Sequence, residues 1–516
     1  MSAPWRSAGS ASGRADGRWR ARVVGAVIAG WVALSLGLPL WQLGQEAVAV
    51  AGPEAPTWVF VLAGLRALGL AAAVASVAVV CAYPVARVVP SPVLLMLLLV
   101  SPLARALGVL GLGLAPGPSA VLLAQSTGAI PLAALVLQLR IRGRPAALLE
   151  AAADLGAGPW RRFVAIEAPL LAPAFALAAG WSALASLGDV ATLELAGGGK
   201  VYTLALLLRD AVLSEANPRR AAAIVAVMLA VALPCALAMA RALAGLAGES
   251  GSGDRRPGPR LAVMGWCGVA ISAAPLMGLL GSVVVQSDVH GGTGGPLLRG
   301  LLPRSLALTL ACGAIAAGLG FALAMLRPRR PPRWPRWPRW PRWPRPPWWA
   351  GRDLVAALVL LPLALPSVVY GALMLPAGRL LGIGPGSTLT LLGLLPMRVA
   401  LAYAGAVLAV AAVQREVVDG ARDLGAGAVA RALRIWWPLL APAGVALGLV
   451  GFAHALADGS VPAFTTGPGG STLAVGMAIV ARGGEVEVVP RWALGLSLAP
   501  VGAVWLAVWA WRRAAR

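Results

Sequence analysis

The chain has 516 residues, of which 59% are hydrophobic and only 12% charged, with a mean hydropathy of +0.80. Soluble domains carry roughly 45–50% apolar and about 25% charged residues, so this composition excludes a soluble two-domain protein and points to an integral membrane protein. A formal charge of +23 invites a nucleic-acid reading. The arginines, however, sit in short blocks between apolar runs, and Lys200 is the only lysine. That is the distribution that sets membrane orientation, and the Arg, Ala, Gly and Pro bias fits a GC-rich genome rather than polyanion binding.

Arg6, Arg14, Arg18, Arg20 and Arg22 precede an apolar run from Val23 to Leu43 that is too long for a signal peptide and ends without a clear small-residue cleavage site, so an uncleaved first span is expected. A span needs about 20 apolar residues. Windows of that length fall at 23–43, 58–82, 92–114, 119–139, 169–188 and 221–245, then at 261–285, 305–326, 354–375, 387–412, 438–457 and 491–511. The expected fold is all-α, with about twelve transmembrane helices in two tandem six-helix halves, because a lipid-exposed backbone must satisfy its own hydrogen bonds. Alternation of the membrane-barrel kind is absent. Arginine blocks at the N-terminus, 140–144, 255–260, 327–352, 415–434 and 512–516 lie on one side, whereas loops 46–57 and 286–299 are arginine-free up to Arg299. Both termini are therefore expected in the cytoplasm.

Gly248–Arg260 reads as a flexible polar linker between the halves. Pro331–Pro347 holds four consecutive Arg-Trp-Pro triplets from Arg333 to Pro344. A period of three matches one turn of polyproline II, which suits either an interfacial strut at anionic headgroups or a low-complexity expansion tolerated in a loop. Cys81, Cys235, Cys267 and Cys312 lie in apolar runs without ligand spacing and read as small buried hydrophobes. No cofactor or metal set is expected.

One stretch occurs twice. Glu150–Ala174 and Asp419–Ala443 align without a gap 269 residues apart, and 14 of the 25 pairs are identical. The shared residues include Asp154/Asp423, Gly156/Gly425, Ile166/Ile435, Pro169/Pro438 and Pro173/Pro442. Residues 145–155 and 416–424 are helix-forming, with Glu150 and Asp154, or Asp419 and Asp423, four apart on one face. Gly156 and Gly425 then permit positive φ and end the helix, and a short amphipathic piece leads to Pro169 or Pro438, suited to the first turn of a span. The chain reads as a tandem duplication whose repeated unit presents a helix–turn–helix hairpin on the cytoplasmic side.

These residues resemble the EAA loop of permease subunits of binding-protein-dependent ABC importers. The pattern is met by Glu150, Ala151, Ala152, Gly156, Ile166 and Pro169. The second copy departs from it at Asp419-Gly420-Ala421 but keeps Gly425, Ile435 and Pro438. The resemblance covers about 60–245 and 300–512. It implies a fused, two-module type I permease similar to the iron(III) and thiamine families, whose EAA loops dock on two cytoplasmic ATP-binding cassette subunits, and which receives solute from a periplasmic or lipid-anchored binding protein. It divides the chain into an N-terminus and first span (1–59), a first module (60–245), a linker and seventh span (246–299) and a second module (300–512) with the insert 327–352. It implies a bacterial inner-membrane location, with iron(III) or thiamine as cargo ahead of polyamine, sulfate or phosphonate. The chain itself is not expected to be an enzyme: a phosphate-binding loop needs G-x-x-x-x-G-K-[ST], and Lys200 is followed by Val201 with Glu at 194.

The repeat extends to Leu187-Gly188-Asp189 and Leu456-Ala457-Asp458. Asp189 and Asp458 read either as pathway or gate residues or as caps of a following helix. His454, one turn before Asp458, joins a polar gate or stands as a lone satisfied histidine. The rival class is a secondary transporter with internal repeats, which would need acids deep in the spans. A membrane enzyme would need a nucleophile, metal cluster or His/carboxylate set that the sequence does not supply.

Overall fold

The computed structural model describes residues 26, 30–31, 33–49, 57–142, 146–246, 259–285, 294–326, 348–413, 415–467, 471–483 and 487–514. The N-terminal arginine block, most of the polar linker, His290 and the Arg-Trp-Pro triplets lie outside them. Every described element is helical. In chain order they are α1 (Leu38–Ala49), α2 (Thr57–Val88), α3 (Ser91–Leu98), α4 (Pro102–Gly111), α5 (Pro118–Arg142), α6 (Ala146–Asp154), α7 (Pro159–Arg162), α8 (Ala168–Gly188), α9 (Val190–Gly197), α10 (Leu204–Leu213) and α11 (Pro218–Leu246). There follow α12 (Pro259–Val285), α13 (Gly294–Leu326), α14 (Trp348–Ala364), α15 (Ser367–Leu381), α16 (Ser387–Ala412), α17 (Arg415–Asp423), α18 (Ala428–Arg431), α19 (Trp437–Ala457), α20 (Ser460–Thr465), α21 (Leu473–Arg482) and α22 (Val489–Ala514).

Among the described residues, eight helices are long and apolar enough to cross a membrane, or up to ten if two bent pairs each count as one span. Large apolar side chains such as Val263, Trp266, Met277 and Val284 on α12 face outward, as expected where lipid rather than water surrounds the bundle. The chain is a multi-pass membrane protein.

The two bent pairs are where the structure departs from the even series of windows. The windows at 92–114 and 354–375 are not straight helices: α3 and α4 meet at 85°, and residues 356–364 of α14 meet α15 at 100°. Ser101 is extended (φ −65°, ψ 150°) ahead of Pro102, and its side chain accepts the Ala104 N–H at 3.1 Å, so a fresh helix starts there. Pro366 is likewise extended (φ −57°, ψ 141°) before α15. Hydropathy averaged over a span does not register either break, because the residues around it are themselves apolar.

The elements α5 to α8 recur as α16 to α19 at the 269-residue spacing, and so do individual bonds. The Gly117 N–H donates to Ala196 O at 2.8 Å, and the Gly386 N–H donates to Thr465 O at 2.8 Å, with both partners displaced by that interval. In each half the longest helix, α2 or α13, packs on the pair α5/α8 or α16/α19. The helix preceding it crosses over: α1 lies against α15 of the other half, and α12 lies against α4. The α12–α4 crossing is tight. A Cβ on Gly108 would sit 1.9 Å from Pro275 O, and one on Gly278 2.0 Å from Gly108 O, so glycine lets the backbones touch, as is common between membrane helices. Buried residues from both halves run into one continuous apolar core.

Candidate functional site

Each repeated segment folds into the same hairpin. α6 ends at Asp154 and Gly156 turns the chain at φ +75°; α17 ends at Asp423 and Gly425 turns it at φ +77°. The closing bonds match: the Ala157 N–H donates to Ala152 O and the Ala426 N–H to Ala421 O, both at 3.0 Å. Glu150, Ala151 and Asp154 are exposed with Asp419, Asp423 and both glycines, whereas Ala152 is buried and Gly420 and Ala421 are half-buried. At each tip stands a leucine almost wholly in the open, Leu155 at 87% and Leu424 at 90% exposure. Two exposed leucines at equivalent turns are apolar surface without an intramolecular partner.

The amphipathic piece after each turn is not separate from the following span. α7 runs through a π turn, Phe163–Glu167, into α8, and α18 runs through Ala432–Trp436 into α19. Pro169 and Pro438 have no N–H to donate, and just before Pro169 the Ala168 N–H reaches back five residues to Phe163 O. The two hairpins differ in how their bases are held. Glu167 in the first bonds Arg87 at 3.0 Å and accepts the Tyr83 hydroxyl at 2.7 Å, a cluster largely shielded from solvent. Trp436 occupies the corresponding position of the second.

At the far ends of α8 and α19 the two halves face each other across a cavity of about 160 Å³. Asp189, Asp458 and His454 all border it, so the three residues singled out in the sequence come together. Both acids are also caps. Asp189 Oδ1 accepts the Thr192 N–H at 3.1 Å and Oδ2 the Thr192 hydroxyl at 2.5 Å. Asp458 Oδ1 accepts the N–H groups of Ser460 at 2.8 Å and Val461 at 3.3 Å. The capping and cavity-lining alternatives are both true of the same side chains. His454 contributes its carbonyl, which accepts from Arg398 at 3.0 Å.

Two arginines complete the constellation, and the reading of the sequence missed both. Arg398 on α16 is 2% exposed and bonds Asp458 Oδ2 at 2.6 Å. Arg105 on α4 lies over Gly128 and borders the same cavity. Gln125 and Ser186 also line the cavity, and the Ser186 hydroxyl donates to Gln125 Oε1 at 2.6 Å. The signal was present: Arg105 and Arg398 are charges inside the apolar windows 92–114 and 387–412, which is itself a functional flag. Among the described residues no group of His, Cys, Asp and Glu is arranged to hold a metal ion.

Residues 67–244 match the model of the binding-protein-dependent transport system inner membrane component. The matched segment runs from within α2 to near the end of α11 and so contains the first hairpin, Arg105 and Asp189. Over those residues the chain is similar to the permease components of binding-protein-dependent transport systems. The second hairpin and its half lie beyond the matched residues. A search among curated proteins finds no match.

Proposed function

We propose that the chain is the complete transmembrane pathway of an ATP-driven, binding-protein-dependent importer, with two permease modules fused in one polypeptide. The observation that carries the reading is the recurrence of one hairpin geometry: two turns at equivalent glycines, each with a bare leucine at its tip, each leading directly into a helix that ends at an aspartate on the central cavity. A push on either hairpin is transmitted along one helical path, Pro159–Gly188 or Leu433–Ala457, to the charged cavity wall. Glu150, Ala151, Ala152, Asp154 and Gly156, with Asp419, Gly420, Ala421, Asp423 and Gly425, form the coupling surfaces. Each receives one ATP-binding cassette subunit on the cytoplasmic side, and a solute-binding protein delivers cargo from the other. Asp189, Asp458 and His454 belong to the pathway wall. Twelve spans with both termini in the cytoplasm of a bacterial inner membrane accommodate this arrangement, and the fusion of two modules with the Leu187-Gly188-Asp189 and Leu456-Ala457-Asp458 segments favours iron(III) or thiamine as cargo ahead of another small solute such as polyamine, sulfate or phosphonate.

A proton- or sodium-coupled transporter would share the internal repeat and the buried Arg398–Asp458 pair. Both carboxylate oxygens of Asp458 are already engaged, and that alternative has no use for two exposed hairpins. Affinity purification from membranes distinguishes the classes. The permease brings down a P-loop ATPase, and replacing Gly156 and Gly425 with bulky residues removes it while the chain stays in the membrane. Isolation of the chain without an ATPase would overturn the reading.

A further inference from the structure

The two halves each place one arginine beside one aspartate, but not from equivalent positions and not in equivalent bonding. Arg398 comes from α16, and the residue 269 positions earlier is Ala129. The first half has no arginine there. Instead Arg105 reaches in from α4 and lays its guanidinium over Gly128, next to Ala129; a Cβ on Gly128 would fall 1.1 Å from Arg105 Nη1. Glycine at 128 is thus the space that Arg105 fills.

The bonding also differs. Arg398 is engaged through both terminal nitrogens, by Asp458 at 2.6 Å and by the carbonyls of His454 at 3.0 Å and Leu394 at 3.3 Å, while its buried Nε has no partner. Asp189 gives both oxygens to Thr192, and although it lies within electrostatic range of Arg105, no hydrogen bond joins them. Among the described residues no hydrogen bond reaches the Arg105 guanidinium, and the side chain lines the cavity. A cation held at membrane depth with its five donors unused is expensive unless something else takes them.

We propose that Arg105 is the solute-contacting cation of the pathway and that it receives an oxyanion, a carboxylate-, phosphate- or sulfate-like group of the cargo. The inference rests on the permease reading and narrows its substrate class. A planar guanidinium takes two oxygens of such a group at once, and the Gln125–Ser186 pair beside it offers neutral polar contacts. A bare thiamine cation supplies no such group. Iron(III) does so only when it travels with anionic ligands.

The test uses the full chain in nanodiscs, with sodium sulfate and sodium phosphate as probes and sodium chloride at matched ionic strength as the control. Wild-type protein binds at least one oxyanion saturably, and R105Q weakens that binding about tenfold or more. R105K keeps part of it. G128V loses it too, because the valine evicts the guanidinium while the charge stays in the chain. Should both disabling variants fail to fold, protection of Arg105 in wild-type protein from butanedione modification by the same anions, read by mass spectrometry, decides the matter. Absence of oxyanion binding and of protection in wild-type protein, or wild-type binding by R105Q and G128V, overturns the proposal. Such a result leaves the permease reading intact if the ATPase still co-purifies, whereas loss of that partner condemns the reading itself.

Discussion

Replacing Arg398 with methionine removes the charge while keeping much of the side chain's length, and it exposes how the cavity wall is held. Arg398 and Asp458 are 2% and 7% exposed and 2.6 Å apart, so the substitution leaves a buried carboxylate with only its two capping N–H donors. Breaking a buried pair from one side costs about 3–5 kcal/mol. Asp458→Asn retains an oxygen for the Ser460 and Val461 N–H groups but leaves the guanidinium uncompensated, with a cost of the same order. In the double variant neither charge remains and the cap survives, so the loss falls to about 1–2 kcal/mol, and the coupling energy is at least about 4 kcal/mol. Arg105→Gln breaks no hydrogen bond, and Asp189 keeps both Thr192 contacts, so its cost is expected to fall well below that of R398M. The assay is a double-mutant cycle on unfolding midpoints of detergent-purified protein, with R105Q measured alongside. Additive effects at 398 and 458, or a loss from R105Q as large as that from R398M, would refute the assignment of one engaged and one free arginine.

Other consequences follow from the packing and the hairpins. Gly278→Leu drives a side chain into the Gly108 carbonyl and forces α12 off α4, costing about 1–3 kcal/mol or more, seen as reduced membrane abundance and a lowered unfolding midpoint. Gly156→Val and Gly425→Val meet no atom within 4 Å, so only the positive φ is strained, by roughly 1–2 kcal/mol; abundance holds and uptake collapses. Glu167→Ala strands Arg87 and Tyr83 at the base of the first hairpin, with an expected cost of about 3 kcal/mol on the unfolding midpoint.

The hairpins were legible in the sequence because their determinants are local. Gly156 and Gly425 stop a helix, Pro169 and Pro438 mark the span that follows, and a gapless repeat exposes both. The helical class followed from composition. The bends at Ser101-Pro102 and Pro366 were not legible, since an 85° turn inside an apolar run leaves mean hydropathy unchanged. The cavity was half legible. Asp189 and Asp458 stood out by repetition, whereas Arg105 and Arg398 lie at non-equivalent positions, and only folding brings them to matching places. The crossing of α1 and α12 onto opposite halves had no local signal, because small residues at 108 and 278 are compatible with many partners in a chain this rich in Gly and Ala.

We propose that both hairpins are docking points for an ATPase. Cysteine placed at Leu155 or at Leu424, in a background with the four native cysteines replaced, tests it by cross-linking in membranes that carry the chain with its natural partners. Adducts with a P-loop ATPase at both positions, formed less readily on ATP depletion or on Gly→Val substitution of the adjacent glycine, are the predicted result. An unreactive Leu155 and Leu424 in protein that is folded and inserted, or adducts only with another copy of this chain, would contradict it.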